Sequence, residues 1–197
     1  MKGKFIVLYG INNLGKSTQL ELLKEFLSDT TGRLCVSIKY PLYELKPTGH
    51  IINGYMRQGN PYQLSAREFQ IFQAMNRTHY NNACLKDMLS RGTHVLAEDY
   101  VGTSVAWGMG AGVDRSFLEY INSHLVKPDI AILLDGERFR EGIETGHTHE
   151  SDDELTQRVR KHHLILAQDE AWFVVDANQP IQTVHKSIVN HVLSHIV

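Results

Sequence analysis

The most specific chemical signal in this chain lies near its start, where residues 10–18 read GINNLGKST. Gly10, Gly15, Lys16 and Ser17 fill the fixed positions of the pattern G-x-x-x-x-G-K-[ST]. Glycines let several backbone N–H groups approach a phosphate, and a following helix adds unpaired N–H groups and the positive end of its dipole. Lys16 then faces the β- and γ-phosphate oxygens, and the Ser17 hydroxyl is placed to bind Mg²⁺. The loop therefore predicts binding of a nucleoside triphosphate together with Mg²⁺.

The segments around this loop match the strand and the helix that it requires. Residues 5–9 (FIVLY) form an apolar run typical of a buried strand, and residues 19–27 carry leucines at helical spacing. Four further apolar runs are predicted strands: residues 34–39, 95–97, 130–134 and 172–175. Because helical segments separate the five runs, we expect an α/β fold with a five-stranded parallel sheet flanked by helices on both faces.

Length and composition narrow the class of protein. The 197 residues are enough for one full α/β domain and short for two, so residues 1–197 are predicted to form a single domain. A formal net charge of −2 disfavours a nucleic-acid binder, in which a basic excess is typical, and suits a small anionic ligand. The sequence holds no apolar run of eighteen residues and no signal-like start, so we expect a cytoplasmic protein that does not contact membranes.

Two polar segments at predicted strand ends extend the candidate site. Glu98 and Asp99 follow the strand at residues 95–97, where they are either Mg²⁺ partners or merely solvated charges. Residues 136–153 follow the next strand; they are polar, contain glycine and lack helical periodicity. That composition predicts a mobile lid over the site.

Short motifs also follow one another along the chain in a distinctive order. They are residues 5–18, Tyr40-Pro41 with residues 47–49, residues 72–77, residues 100–107 (YVGTSVAW), residues 127–129 with 133–135, and residues 175–177. In their order and spacing these motifs resemble the thymidylate kinase family of P-loop nucleoside monophosphate kinases, over nearly the whole chain. The resemblance implies the P-loop NTPase fold, a three-layer sandwich. It also implies a homodimer that transfers the γ-phosphate of ATP to dTMP, giving dTDP.

The resemblance further implies roles for individual side chains. It places ATP on Gly10, Asn13, Leu14, Gly15, Lys16, Ser17 and Thr18. It gives catalytic roles to Lys16, Asn12 and Arg140. The candidate ligands of Mg²⁺ follow from the loop motif and the strand end instead, and they are Ser17, Glu98 and Asp99. It places the acceptor, a pyrimidine deoxynucleoside monophosphate, on Gly49, Phe72, Arg77, Tyr100, Ser104 and Trp107. In this set Phe72 lies beside the base, and Arg77 forms a hydrogen bond with the base. The residues alone leave two alternatives open: Phe72 belongs to the apolar core, and Arg77 is a solvated charge on a helix.

Several positions depart from the family pattern. Asn12 stands where the family usually has an aspartate, and Asp99 stands where the family has an arginine. The family often carries another arginine near the position of Leu42, and this chain has none there. One extra residue separates Phe72 from Arg77, and the predicted lid carries arginine only at Arg138 and Arg140. Because phosphoryl transfer relies on positive groups around the transferred oxygens, these departures bear directly on activity.

The departures leave three functions open. The protein is a thymidylate kinase, a kinase for another acceptor such as a nucleoside, or a nucleotide-binding protein that no longer catalyses. Asp99 also has three interpretations. Its negative charge lowers the kinase activity, it holds Mg²⁺, or it pairs with a cation that the fold brings in from elsewhere, such as Lys46, Arg57 or Arg140.

Overall fold

The computed structural model describes residues 2–139 and 153–196. The strands are β1 (Phe5–Tyr9), β2 (Cys35–Lys39), β3 (His94–Glu98), β4 (Ile130–Asp135) and β5 (Phe173–Asp176). The helices are α1 (Lys16–Thr31), α2 (Thr48–Arg57), α3 (Ala66–Tyr80), α4 (Lys86–Ser90), α5 (Val101–Gly110), α6 (Arg115–Asn122), α7 (Asp153–Asp169) and α8 (Ile181–Ile196). A π-helical segment, Asn81–Leu85, joins α3 to α4.

The five strands form one parallel sheet in the order β2-β3-β1-β4-β5, which confirms the predicted fold class. Leu8 of β1 is in register with Glu98 of β3 on one side and with Ile132 of β4 on the other. Every residue of β1 and β3 is buried, as expected for central strands covered by helices on both faces. The register brings the carboxyl ends of β1, β2 and β3 together, and the polar residues that follow these strands therefore meet at one edge.

Between α2 and β3 the chain forms α3, the π-helical segment and α4 in succession. Helix α3 starts at a capping box, in which the Ser65 side chain accepts from the Glu68 N–H and the Glu68 side chain accepts from the Ser65 N–H. Near its start, α3 packs against α2 through a small apolar cluster of Ile52, Met56 and Phe69. This packing fixes α2 and α3 as two neighbouring walls of the site.

Helix α5 lies unusually close to its neighbours because of its glycines. A Cβ added to Gly102 would lie 2.3 Å from the ring of Trp172, and one added to Gly108 would lie 2.7 Å from Leu118. Larger residues at these two positions would push α5 away from the elements beneath it. The close packing holds Ser104 and Trp107 of α5 in place opposite α3.

Part of the sequence-based interpretation concerns residues that the structure does not describe. Arg140 and most of the predicted lid at residues 136–153 lie outside the described residues, so these predictions stay predictions. Within residues 2–139 and 153–196, none of the helices is long and apolar enough to cross a membrane.

Candidate active site

A cavity of about 390 Å³ opens at the carboxyl ends of β1, β2 and β3. Open α/β sheets bind their ligands at this edge, and the volume falls within the range of about 300 to 1,000 Å³ that is usual for ligand pockets. The cavity is lined by Lys16 and Ser17 at the start of α1 and also by Arg77 of α3 and Trp107 of α5. The glycine-rich loop and four of the six predicted acceptor residues therefore line the same cavity.

The loop between β1 and α1 has the backbone that its glycines predict. Gly10 has φ 142° and Gly15 has φ 76°, a region that favours glycine. At Gly10 a Cβ would also lie 2.5 Å from the Leu134 carbonyl oxygen. The Lys16 side chain is buried, and its Nζ donates to the carbonyl oxygens of Gly10 at 3.0 Å and Ile11 at 2.9 Å. The loop thus holds an ammonium group at the wall of the cavity.

The other predicted ATP-binding residues divide into two groups. Asn13 and Thr18 line the cavity, and so does Asn12, which was predicted to be catalytic. Leu14 is buried in the main apolar core and supports the loop from behind. Phe139, which was not predicted, also lines the cavity, and its N–H donates to the Asn13 carbonyl oxygen at 2.8 Å.

Glu98 is held between a hydroxyl and an ammonium group. Its Oε2 accepts from Ser17 Oγ at 2.5 Å, and its Oε1 lies 2.8 Å from Lys39 Nζ. Burial acts to raise the pKa of Glu98, but the charges of Lys16 and Lys39 and the hydrogen bonds from Lys39 and Ser17 outweigh burial and lower it. Glu98 is therefore a carboxylate that the site keeps ionised.

Asp99 occupies the strained position directly after β3, with φ 61°. Its Oδ1 accepts from Thr103 Oγ1 at 2.8 Å and lies 3.8 Å from Lys16 Nζ. Burial raises the pKa of Asp99; the neighbouring Glu98 adds to this rise, and Lys16 opposes it. A cation does lie beside Asp99, but it is Lys16 of the loop, which was not among the cations that the sequence suggested. Arg140, one of the suggested cations, lies outside the described residues.

The oxygen atoms around Ser17 suit Mg²⁺. The Ser17 hydroxyl and the Glu98 carboxylate converge on each other, and Asp99 adds a second carboxylate to the same cavity. Mg²⁺ is usually bound by one or two carboxylates together with water and substrate phosphates rather than by an all-protein cage. Among the described residues, no cluster of three or more His, Cys, Asp or Glu side chains that could hold a metal occurs.

Arg77 is buried with 3% of its surface exposed, so it is not a solvated helix charge. Its Nη1 donates to Asn122 Oδ1 at 3.1 Å and its Nη2 donates to Gln73 Oε1 at 3.4 Å. Among the described residues, Arg77 Nε is a buried donor without a hydrogen-bond partner. Burial lowers the pKa of Arg77 to about 10, although Tyr100 and Tyr40 act in the opposite direction. A buried donor without a hydrogen-bond partner is unusual in a folded protein and calls for an explanation.

Three more predicted acceptor residues line the cavity with Arg77. Tyr100 OH accepts from Asn81 Nδ2 at 2.8 Å, and Ser104 Oγ donates to Gln70 Oε1 in a short hydrogen bond. Trp107 follows Ser104 by one turn of α5 and adds an apolar wall. The cavity therefore joins a charged region around Lys16, Glu98 and Asp99 to a buried region lined by α3 and α5.

The sequence model of the thymidylate kinases matches residues 8–188 of this chain. The chain belongs to the thymidylate kinase family. It is 30% identical to a probable thymidylate kinase of Pyrococcus abyssi, over 96% of this chain and 95% of that protein. It is 27% identical to the thymidylate kinase of Plasmodium falciparum, over 97% of this chain and 90% of that one.

Solved thymidylate kinases share the fold. The structure of the enzyme from Candida albicans superimposes with a TM-score of 0.84 at 20% identity, covering 98% of this chain and 92% of that one. The structure from Ehrlichia chaffeensis has a TM-score of 0.78 at 21% identity, covering 98% and 100% of the two chains. At these identities the likeness establishes the fold and leaves the site to be interpreted from its own residues.

Two of the predicted acceptor residues lie elsewhere in this thymidylate kinase family member. Phe72 packs against the small apolar cluster between α2 and α3 and is not among the described residues that line the cavity. Gly49 lies in the first turn of α2, where an added Cβ would be 1.9 Å from the Tyr43 carbonyl oxygen, so its role is close backbone packing. Successive helical residues differ by about 100° in direction, so the extra residue between Phe72 and Arg77 turns Phe72 away and brings Gln73 to the wall.

The loop between β2 and α2 is tied to α3 by Asn76, a residue that sequence reasoning missed. Asn76 Oδ1 accepts from the Leu42 N–H at 2.9 Å, and its Nδ2 donates to the Leu42 carbonyl oxygen and to Thr48 Oγ1, both at 2.9 Å. Leu42 itself packs against the main core. Arg57 of α2 also lines the cavity, and its guanidinium lies 4.5 Å from the centre of the Tyr43 ring.

Asp99→Asn is expected to make stability less dependent on pH. A buried carboxyl group whose pKa is raised by folding favours the folded state in its neutral form. This contribution to the free energy of unfolding is fully present below the pKa of the unfolded chain, about 3.9, and is lost as the pH rises through the pKa of the folded protein. The amide has no charge to desolvate, so we expect its Tm to exceed that of the wild type by a few degrees at pH 7 to 8 and the difference to shrink toward pH 4. Thermal melts across this pH range measure the difference. A variant that is less stable than the wild type at pH 8 would contradict the expectation.

Proposed function

We propose that the protein is an ATP:dTMP phosphotransferase, which transfers the γ-phosphate of ATP to dTMP and releases ADP and dTDP. One observation carries the proposal. In a member of the thymidylate kinase family, the glycine-rich loop with Lys16 and the buried guanidinium of Arg77 line the same cavity. A phosphate donor on the loop and an acceptor reaching toward Arg77 would therefore meet inside one enclosed space.

In this proposal the loop binds the donor. The backbone N–H groups at residues 13–18 and the start of α1 bind the β-phosphate, and Lys16 moves from the Gly10 and Ile11 carbonyl oxygens to the β- and γ-phosphate oxygens. Ser17 and Glu98, with Asp99 beside them, would hold Mg²⁺. The metal ion, when bound, would neutralise charge on the β- and γ-phosphate oxygens. Asn12 lines the cavity next to this loop and is proposed to orient the transferred group.

The acceptor's own phosphate supplies the nucleophile. One of its oxygens attacks the γ-phosphorus while the bond to the oxygen that bridges the β- and γ-phosphates breaks, so no covalent intermediate with the protein is required. A phosphate oxygen is already ionised near neutral pH, and a strong general base is unnecessary. The protein contributes positioning and charge neutralisation. Arg57 and Lys39 at the cavity wall are cations available to the acceptor phosphate, and Arg140 of the predicted lid is proposed to join them.

The nucleoside part of dTMP is proposed to lie between α3 and α5. Arg77 reaches the base, while Tyr100, Ser104 and Trp107 line the rest of the pocket. The buried Arg77 Nε supports this placement because a carbonyl oxygen of the base would satisfy it. The location of Phe72 in the apolar cluster leaves it a supporting role behind this wall.

We further propose a single cytoplasmic domain, with a lid at residues 136–153, that forms a homodimer through α3. Ile71 and Met75 on the outer face of α3 expose 39% and 47% of their surfaces, and with Ile121 of α6 they border a shallow, mainly apolar depression. Covering these side chains would be favourable. Analytical ultracentrifugation of the wild type and of Met75→Asp tests the dimer: the wild type is expected to sediment as a dimer and the variant as a monomer.

An ADP-release assay tests the function directly. With ATP and excess Mg²⁺, we expect dTMP to give a kcat/KM at least about tenfold above thymidine and the purine monophosphates, and we expect chelation of Mg²⁺ to abolish the rate. ADP release with thymidine and not with dTMP would replace the proposal with a nucleoside kinase. The absence of ADP release with every acceptor, in a protein that still binds ATP, would replace it with a nucleotide-binding protein.

A further inference from the structure

One face of α3 places three polar side chains in the buried part of the cavity. Gln70, Gln73 and Arg77 follow the spacing i, i+3 and i+7, which aligns them on one side of a helix. Their exposed fractions are 3%, 8% and 3%, and all three line the cavity. Burying a polar group costs free energy unless the group forms a hydrogen bond. Those of the three side chains that lack strong partners in the protein are therefore the candidates for contact with a ligand.

Gln70 has a strong partner in the protein, whereas Gln73 has only a long hydrogen bond. Arg77 donates to Asn122 through Nη1 but keeps one donor unpaired within the described part of the chain. Gln70 Oε1 accepts the short hydrogen bond from Ser104. Gln73 Oε1 accepts from Arg77 Nη2 at 3.4 Å, which is near the upper limit for such a bond. Arg77 Nε has no partner among the described residues. Two adjacent side chains at the cavity wall therefore retain hydrogen-bonding capacity.

The contact between Gln73 and Arg77 also fixes which way the carboxamide points. A guanidinium can only donate hydrogen bonds, so the Gln73 atom that faces it must be the carbonyl oxygen and not the NH₂ group. The wall thus presents donors from Arg77 directly beside an acceptor from Gln73. A complementary ligand must carry an acceptor beside a donor at the same spacing.

Thymine and uracil carry that pattern, with O4 as the acceptor and N3–H as the neighbouring donor. Cytosine carries the reverse pattern, because its N3 is an acceptor and its N4 amino group is a donor. We propose that Gln73 is a specificity-determining residue: its Oε1 accepts from N3–H while Arg77 donates to O4, so that the pair selects thymine and uracil over cytosine. This inference rests on the proposed function and adds to it the residue that recognises N3–H.

Gln73→Met tests the inference with little change in volume. Losing one hydrogen bond to N3–H is expected to lower kcat/KM for dTMP and dUMP by roughly tenfold, chiefly through KM, and to leave the already low value for dCMP unchanged. The ratio of dTMP to dCMP would then fall about tenfold. The matched control is Gln19→Met, because Gln19 is equally buried in α1 and does not line the cavity. The control is expected to leave the ratio unchanged.

A second measurement does not depend on the methionine variant being well folded. In 3-methyl-dTMP a methyl group replaces the N3 proton, and we expect the wild type to reject this analogue because the methyl group would meet Gln73. Gln73→Ala makes room, so the preference for dTMP over 3-methyl-dTMP is expected to fall at least about tenfold. Gln19→Ala should not change that preference.

Calorimetric binding of dTMP, dCMP and 3-methyl-dTMP separates this inference from the proposed function, since binding needs no turnover. If the wild type binds dTMP more tightly than dCMP but transfers no phosphate, the result supports the inference about Gln73 and contradicts the proposed function. Equal losses for all three ligands in Gln73→Met and Gln73→Ala, with ratios like those of the Gln19 controls, would show a purely structural role and overturn the inference.

Discussion

Lys16→Met is expected to lower kcat for dTMP phosphorylation by about 10² to 10³-fold. Lys16 is the cation of the glycine-rich loop, and removing one preorganised donor from developing oxyanion charge typically has an effect of this size. Methionine keeps most of the side-chain volume in a position that is 4% exposed. The measurement is steady-state ADP release at saturating ATP and dTMP, with ATP affinity determined by calorimetry and Tm by thermal melting.

The control for this variant lies on the same helix. Lys24 of α1 is paired with Glu21 and is not among the described residues that line the cavity, so Lys24→Met is expected to keep wild-type kcat. The Gly10 and Ile11 carbonyl oxygens lose a donor in Lys16→Met, and the melting curve shows whether the loop tolerates that loss. Turnover near the wild-type value in a folded Lys16→Met protein would remove the loop from the proposed chemistry.

Arg77→Met is expected to weaken catalysis and leave stability nearly unchanged. Without the guanidinium, kcat/KM for dTMP should fall by about 10²-fold through a raised KM, while the KM for ATP stays within about twofold. A buried cation is costly to desolvate, and its replacement by an apolar side chain of similar size is often neutral or stabilising. Asn122 Oδ1 loses its donor in the variant, which offsets part of that gain. The combined measurement is a full kinetic matrix for both substrates and a melting curve.

Arg67→Met is the matched control for Arg77. Arg67 lies on the same helix, is exposed, and stacks its guanidinium 3.4 Å from the centre of the Phe117 ring. Its loss is expected to leave both KM values unchanged. If Arg77→Met instead raises the KM values for ATP and dTMP equally, Arg77 does not contact the acceptor.

The carboxylate at position 99 is best understood through its contact with Lys16. In the family pattern an arginine stands here, and a simple loss of charge would weaken the site. Instead, Asp99 lies within 3.8 Å of the loop lysine and is anchored by Thr103. The carboxylate thus lies beside the positive charge of the loop, and Lys39 of β2 and Arg57 of α2 line the same cavity.

The loop at residues 10–18 could be predicted from sequence alone because its physics is local. A strand, two glycines with positive φ and a helix start lie within a few residues of one another, and their order dictates the backbone. The parallel sheet was predictable for a similar reason, since runs of apolar residues separated by helices leave few alternatives. The family motifs added the acceptor side, and the structure brings Arg77, Tyr100, Ser104 and Trp107 to the cavity as that resemblance implied.

Only the tertiary structure could decide which side chains meet across the chain. Ser17 and Glu98 are 81 residues apart and touch because β1 and β3 are neighbours in register. Phe72 and Gln73 are adjacent in sequence, yet one packs under α2 and the other lines the cavity, because each step along a helix turns the side chain by about 100°. Strand pairing and helix rotation relative to a neighbour are set by packing over the whole molecule, and a local sequence pattern does not contain that information.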